Sequence, residues 1–196
     1  AGLLIRDRSG FENARNLRAV VFDKTGTLTE GKFGVTDIVA LAELNETEVL
    51  RMTASLEANS EHPIAAGILR GSKENGVELI HIHDFKAIPG KGIEGQIKGK
   101  SWLVASPGYL KENTIELKDE RLDKLARQGK TVVFLLEEKR PVGAIALADI
   151  IRKESKEAIE RLKSMNIKCM MLTGDNRFVA RWVAEDLGLD DFFAEV

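Results

Sequence analysis

Ala19-Val20-Val21-Phe22-Asp23-Lys24-Thr25-Gly26-Thr27-Leu28-Thr29 is the stretch whose reading decides the fold. Four apolar residues, rich in β-branched side chains, predict a buried strand. The strand ends in a carboxylate, and a Gly two residues beyond Lys24 breaks the pattern. Open α/β sheets hold their ligands outside the carboxyl ends of parallel strands. Asp23 is therefore placed where a nucleophilic carboxylate can attack a phosphoryl group and form an aspartyl phosphate. Lys24 supplies positive charge for the phosphoryl oxygens, and Thr27 a hydroxyl that can hydrogen-bond one of them. The Asp23 carboxylate and the Thr25 carbonyl are hard oxygen donors suited to Mg²⁺.

A matching piece lies far along the chain. Ile167 to Leu172 reads as a second buried strand, and Thr173-Gly174-Asp175-Asn176 follows it directly. A helix is expected from Arg177 to Leu187, with Val179, Trp182, Val183 and Leu187 at helical spacing. A strand, a Thr-Gly-Asp turn and a helix N-terminus together offer a hydroxyl and backbone N–H groups to a phosphate.

Between these pieces the pattern changes. Phe11 to Arg18 reads as a short helix, and Gly31 and Gly34 read as breaks before a strand at Val35 to Leu41. Asn45 with Glu48 predicts a capping box for a helix running to about Ala58. Pro63 opens a second helix, through Leu69. Ile82 to Ile88, Ile93 to Lys98 and Ser101 to Ala105 read as short strands, with a Gly99-Lys100 turn between the last two. Asp119 to Arg127 is amphipathic. Thr131 to Leu136 and Val142 to Leu147 form a hairpin across Glu138-Lys139, and Glu154 to Ser164 returns to helix. The fold class is α/β: a doubly wound parallel sheet in two segments, residues 1–33 and 142–196, with an α+β domain on an antiparallel sheet inserted at 34–141.

Bulk properties narrow the function classes. The chain has 196 residues, 43% hydrophobic and 31% charged, as expected of a soluble protein with a real core. A net charge of −2 gives no basic footprint for nucleic acid. Cys169, the single cysteine, sits in an apolar strand and reads as core, and it permits no intrachain disulfide. No apolar run approaches the roughly 18 residues of a membrane span.

Asp23-Lys24-Thr25-Gly26-Thr27-Leu28-Thr29 is also the phosphorylation signature of P-type ATPases, and the chain resembles their cytosolic ATP-binding region. Ser60-Glu61-His62-Pro63 resembles the signature of the heavy-metal-transporting subgroup, in a form commonest among copper pumps. The resemblance implies a haloacid-dehalogenase-like fold, with ATP and Mg²⁺ as cofactors. It implies transfer of the γ-phosphate to Asp23, with Lys24, Thr25, Thr27, Thr173, Gly174 and Asp175 around it and Asp23 and Thr25 on Mg²⁺. Thr25 stands where related phosphatases carry a second, acid–base Asp, so the aspartyl phosphate is expected to be long-lived. The resemblance further implies that the inserted domain presents ATP and that domain closure brings the phosphate to Asp23.

For the nucleotide, the resemblance implies His62 on the adenine, Glu61 hydrogen-bonding the base, and Gly90 and Gly92 letting the backbone approach it. Gly90, Gly92 and Gly95 form G-x-G-x-x-G, but a strand rather than a helix follows, so a dinucleotide fingerprint is excluded. Ala105-Ser106 stands where the family usually has Gly-Asn, and Lys153 where it usually has Pro. Asp149 and Arg152 resemble the family's Asp-x-x-Arg segment. By residue type alone, Asp149 equally suits a helix N-cap.

A Gly-Asp-Gly-x-Asn-Asp segment, which in the family supplies a further Mg²⁺ ligand, is not found before Val196. The chain is therefore expected to be a C-terminally truncated part of an integral membrane pump, lying on the cytoplasmic face. Its partners would be ATP or ADP and the transmembrane and actuator domains. An incomplete sheet, exposed apolar surface, pairing between copies, weak Mg²⁺ binding and little turnover are the matching expectations. Two other readings stand beside this one: a soluble haloacid-dehalogenase-type phosphatase, and a nucleotide-binding module without chemistry. His81 and His83 alternate along an extended segment, but two imidazoles do not complete a closed metal site. Met170, Met171, Phe178 and Trp182 read as core.

Overall fold

A computed structural model describes residues 16–196, so the helix expected over Phe11 to Arg18 falls mostly outside it. The chain divides into two compact units. One runs up to Glu30 and resumes at Ile151–Val196; the other is Gly31–Ile150. The insert therefore begins earlier and ends later than 34–141. The cause is strand β7, Arg140–Ile151, which continues pairing with β6, Thr131–Glu137, as far as Leu147 opposite Thr131. Strand β2, Thr29–Ala40, likewise runs straight through Gly31 and Gly34.

The first unit holds a three-stranded sheet in the order β1-β8-β9. β1 (Ala19–Asp23) pairs in parallel with β8 (Lys168–Leu172), which pairs in parallel with β9 (Asp191–Phe193). Helices α5 (Lys153–Ser164) and α6 (Arg177–Leu187) cover one face. Ala180, Val183, Ala184 and Leu187, spaced along one stripe of α6, pack with Ile159, Cys169, Met171 and Leu28. Asn176 Oδ1 caps α6 by accepting from the N–H groups of Phe178 and Val179, and Gly188 ends it at φ 65°. The opposite face carries Val21, Leu172 and Phe193, which are 52%, 41% and 47% exposed, so the expected apolar surface is present. Phe178 is a correction: it is 61% exposed, on the outer side of the first turn of α6, because the core stripe begins at Ala180.

The second unit is a six-stranded sheet in the order β2-β7-β6-β5-β4-β3. β3 is His83–Ile88, β4 Gly92–Ile97 and β5 Lys100–Ala105, and the ladders from β3 to β7 are antiparallel. Period-two alternation sorts its side chains into two cores. Trp102, Val104, Val133 and Leu135 face helices α1 (Glu46–Glu57) and α2 (Pro63–Glu74), with Val49, Leu50, Leu56 and Ile68 between. Leu103, Ala105, Val132, Phe134 and Leu136 face α3 (Pro107–Glu112) and α4 (Glu120–Arg127), through Leu110, Leu122 and Leu125.

The local signals explain most boundaries. The Asn45–Glu48 capping box is formed in both directions, at 2.9 Å each. Helix α2 runs past Leu69 to Glu74 because Gly67 and Gly71 let it lie against β2. A Cβ at Gly67 would stand 2.8 Å from the Phe33 carbonyl oxygen, and one at Gly71 would stand 2.9 Å from Val35. The β4–β5 turn is Lys98-Gly99, not Gly99-Lys100. Both residues have positive φ and Lys100 already pairs with Ile97, the backbone that a two-residue hairpin requires. Glu138-Lys139 turns the β6–β7 hairpin the same way.

Candidate active site

The parallel register sets Asp23 opposite Leu172, so Asp23 and Thr173 leave the sheet side by side at its carboxyl end. Asp23 is exposed, as are Thr25, Gly26 and Thr27 on the turn that follows. Lys24 is buried, at 5% exposure, and its Nζ lies 2.7 Å from Asp175 Oδ2. An ammonium withdrawn from water needs a counter-charge nearby, and Asp175 supplies it. The same Asp175 oxygen accepts from the buried Thr173 hydroxyl at 3.1 Å, while Thr173 Oγ1 accepts from the Asp175 N–H at 3.1 Å. Lys24, Thr173 and Asp175 thus form one polar cluster under the exposed Asp23 loop.

The loop itself is built from both sides. Gly26 takes φ 78°, which only a glycine adopts without strain. The Thr29 hydroxyl donates to the Lys24 carbonyl at 3.0 Å, and Leu28 anchors the turn in the core at 2% exposure. Arg152 donates from Nε to the Thr29 carbonyl at 3.0 Å and from Nη2 to the Gly26 carbonyl at 3.3 Å. Its backbone N–H and the Ser155 hydroxyl both reach the Leu28 carbonyl at 3.0 Å. Arg152 is thus a positioning residue that fixes the loop's carbonyls. Asp149 does not cap α5: Arg152 occupies the N-cap position, and Asp149 Oδ1 accepts from the Lys32 N–H at 3.0 Å. It lies on β7, before the helix entry. The Thr173–Asp175 turn is closed by the last residues, with Glu195 N–H on the Asp175 carbonyl at 3.0 Å. Gly174 has no positive φ and no close neighbour to a Cβ, the nearest atom being 3.7 Å away.

For Mg²⁺, the Asp23 carboxylate and the Thr25 carbonyl are a fitting but partial donor set. Among the described residues, no group of three or more acidic, His or Cys side chains could hold a metal. Mg²⁺ usually keeps several waters and takes one or two carboxylates plus substrate phosphate, which suits two protein oxygens on an exposed loop.

In the second unit, Glu61, His62, Gly90 and Gly92 line one cavity of about 500 Å³. His62 is the N-cap of α2: its Nδ1 accepts from the Ile64 N–H at 3.2 Å. With Nδ1 as acceptor, the neutral ring carries its proton on Nε2 as a donor. The capping role and a ligand role are therefore compatible in one imidazole. Gly90 adopts φ 70° with open space around a notional Cβ. Gly92 is different: a Cβ there would lie 1.9 Å from the Val104 carbonyl oxygen, so β5 itself demands glycine. Ser106 also lines the cavity, and its Oγ caps α3 through the Tyr109 N–H at 3.3 Å. Ile64, Phe85, Ile93 and Val104 provide apolar walls.

Sequence reading missed Glu57. It ends α1, lines the same cavity and is 5% exposed, and its Oε2 has no hydrogen-bond partner among the described residues. Burial pushes its carboxyl above the usual carboxylate range, against a hydrogen bond from Ser60. The available signal was periodic. Glu57 falls seven residues after Leu50 and four after Thr53, on the buried stripe of α1, at a helix C-terminus that disfavours a carboxylate.

A family model described as haloacid dehalogenase-like hydrolase matches residues 17–196. A copper-exporting P-type ATPase B of Archaeoglobus fulgidus is 61% identical over 196 residues, covering 100% of this chain and 28% of that protein. The chain therefore spans under a third of that relative's length. A crystal structure of a zinc-transporting PIB-type ATPase matches 92% of this chain and 29% of its own, at 33% identity and TM-score 0.81. The catalytic domain of a CPx-ATPase, described as changing conformation upon nucleotide binding, matches 98% of this chain and 67% of its own at 26% identity and TM-score 0.59. No helix among the described residues is long and apolar enough to cross a membrane.

Proposed function

Since the chain belongs to the haloacid dehalogenase-like hydrolase family, we propose that it is the ATP-binding and phosphorylation region of a heavy-metal-translocating P-type ATPase. The observation that carries the reading is the cavity of the second unit. It gathers residues from α1, the entry to α2 and the β3–β4 turn into one pocket with apolar walls and a few polar groups, as small-molecule sites require.

Adenine suits this pocket. Its ring stacks on apolar and aromatic surface, for which Phe85 and Ile93 serve. Its exocyclic amine is a donor that the unpartnered Glu57 oxygen can accept, and its ring nitrogens are acceptors for the His62 Nε2–H. Glu61 stands at the same wall, and Gly90 and Gly92 keep side chains out of it.

At Asp23 the reaction is phosphoryl transfer. The carboxylate oxygen attacks the γ-phosphorus, the bond to the bridging oxygen breaks, and ADP leaves with that electron pair. Mg²⁺ held by Asp23 and the Thr25 carbonyl would neutralise charge on the phosphoryl oxygens. The Thr173 hydroxyl and the Lys24–Asp175 pair sit at the same end of the sheet. Thr25 has no acid–base capacity near neutral pH. The aspartyl phosphate therefore persists, as a pump needs and a phosphatase does not.

The pumped ion is proposed as copper because the 61% identical relative is described as copper-exporting. A zinc-transporting neighbour shares the fold, so the ion is chosen elsewhere in the protein. The partners would be the pump's transmembrane and actuator domains, with this region on the cytoplasmic face.

Calorimetric titration of ATP and ADP into wild type, Glu57→Met and His62→Asn tests the reading. Wild type should bind adenine nucleotide saturably, with each variant weaker by about 10-fold or more, the effect of one lost buried hydrogen bond. Absence of binding to folded wild type would overturn it.

A further inference from the structure

Outside the sites described above, His81 and His83 are in direct ring contact. Their ring centroids are 4.7 Å apart, with ring planes at 83°. Both side chains are exposed, and neither lines the nucleotide cavity. Among the described residues, neither imidazole has a hydrogen-bond or ion-pair partner. The next residue, Asp84, is held at φ 53°, and the β3–β4 pairing slips between His83 and Lys86. Irregularities of this kind re-aim side chains and occur next to functional sites.

We propose that His81 and His83 form an open two-imidazole site for a divalent transition-metal ion, with Cu²⁺ bound most tightly. The geometry carries this. A metal–nitrogen bond of about 2.0–2.1 Å puts an imidazole centroid about 3.2 Å from the metal. Two centroids 4.7 Å apart then subtend about 95° at a common metal, close to the cis angle of a tetragonal ion. Imidazole suits copper, nickel and zinc, and the affinity order of divalent ions peaks at Cu²⁺. Among the described residues, no third acidic, His or Cys side chain joins them in a group that could hold a metal. Water fills the remaining positions, and the ion exchanges readily. The competing account is an edge-to-face ring contact worth about 0.5–1.5 kcal/mol and nothing more.

The test is titration of Cu²⁺ alone into the full chain, read by calorimetry and by electron paramagnetic resonance at one equivalent. Wild type, His81→Asn, His83→Asn and His62→Asn are compared, with thermal melts as the control for folding. The proposal expects a two-nitrogen pattern in wild type, at least a tenfold loss of affinity in each of His81→Asn and His83→Asn, and no change in His62→Asn. Cu²⁺ binding that ignores both substitutions, or a one-nitrogen spectrum in wild type, would overturn it. The readout uses no nucleotide, so its outcome is separate from that of the ATP titration.

Discussion

Lys24 Nζ and Asp175 Oδ2 meet at 2.7 Å, joining the loop that follows β1 to the loop that follows β8. These residues lie far apart in sequence, and their pairing depends on the parallel register that sets Asp23 beside Leu172. Lys24 is nearly buried and Asp175 about one-third exposed, with side-chain accessibilities of 6% and 36%. The two ends of the pair are therefore not equivalent. Asp175→Asn removes the charge that this carboxylate sets against a buried ammonium, and should lower stability by about 1–3 kcal/mol. Lys24→Met leaves a carboxylate that water can still reach, and should cost less. Urea denaturation of the two variants checks the order.

The two cavity glycines should behave differently. Gly92→Ala forces a methyl group into the Val104 carbonyl and should prevent folding or cost several kcal/mol. Gly90→Ala meets no atom and suffers only the left-handed backbone, at about 1 kcal/mol. Thermal melts separate them, and only Gly90→Ala is a usable probe of nucleotide approach.

The proposed function gives His62 a second role beside its cap on α2. His62→Ala removes the N-cap of α2 and should destabilise by about 1 kcal/mol. His62→Asn restores a capping oxygen for the Ile64 N–H, and so should recover the melting temperature without recovering ATP affinity. Recovery of both would show that capping alone explains the histidine.

Glu57 predicts a pH signature. Its carboxyl is raised in the folded chain above its unfolded value of about 4.5, chiefly by burial. Stability from the protonated form is therefore complete below about pH 4.5 and is lost as pH rises through the folded value. Glu57→Gln should match wild type in acid and become more stable than wild type toward neutral pH. The gain should be within the roughly 1–3 kcal/mol that an unsatisfied buried polar group costs. A variant no more stable than wild type at pH 7.5 contradicts this account.

Much of this was legible because local chemistry and global fold agree. The Asn45–Glu48 box, Pro63, the Glu138-Lys139 turn and the α6 stripe each signal their element through nearby residues alone. What was hidden depended on distant partners. The length of β7 follows from pairing with β6, and the run of α2 to Glu74 from glycines that fit against β2. The Arg152 clamp joins residues more than a hundred positions apart. Glu57 was obscured differently, because a carboxylate at a helix end looks like solvated surface until its place on the buried stripe is counted.

The most direct test of the central claim is an amide-resolved NMR titration of the isotopically labelled chain with ATP. The account predicts saturable shifts centred on Glu57, Ser60 to Ile64 and Gly90 to Ile93, shared by ADP and weakened together in Glu57→Met. Shifts confined to other surfaces, or none at saturating ATP in a folded chain, would contradict it.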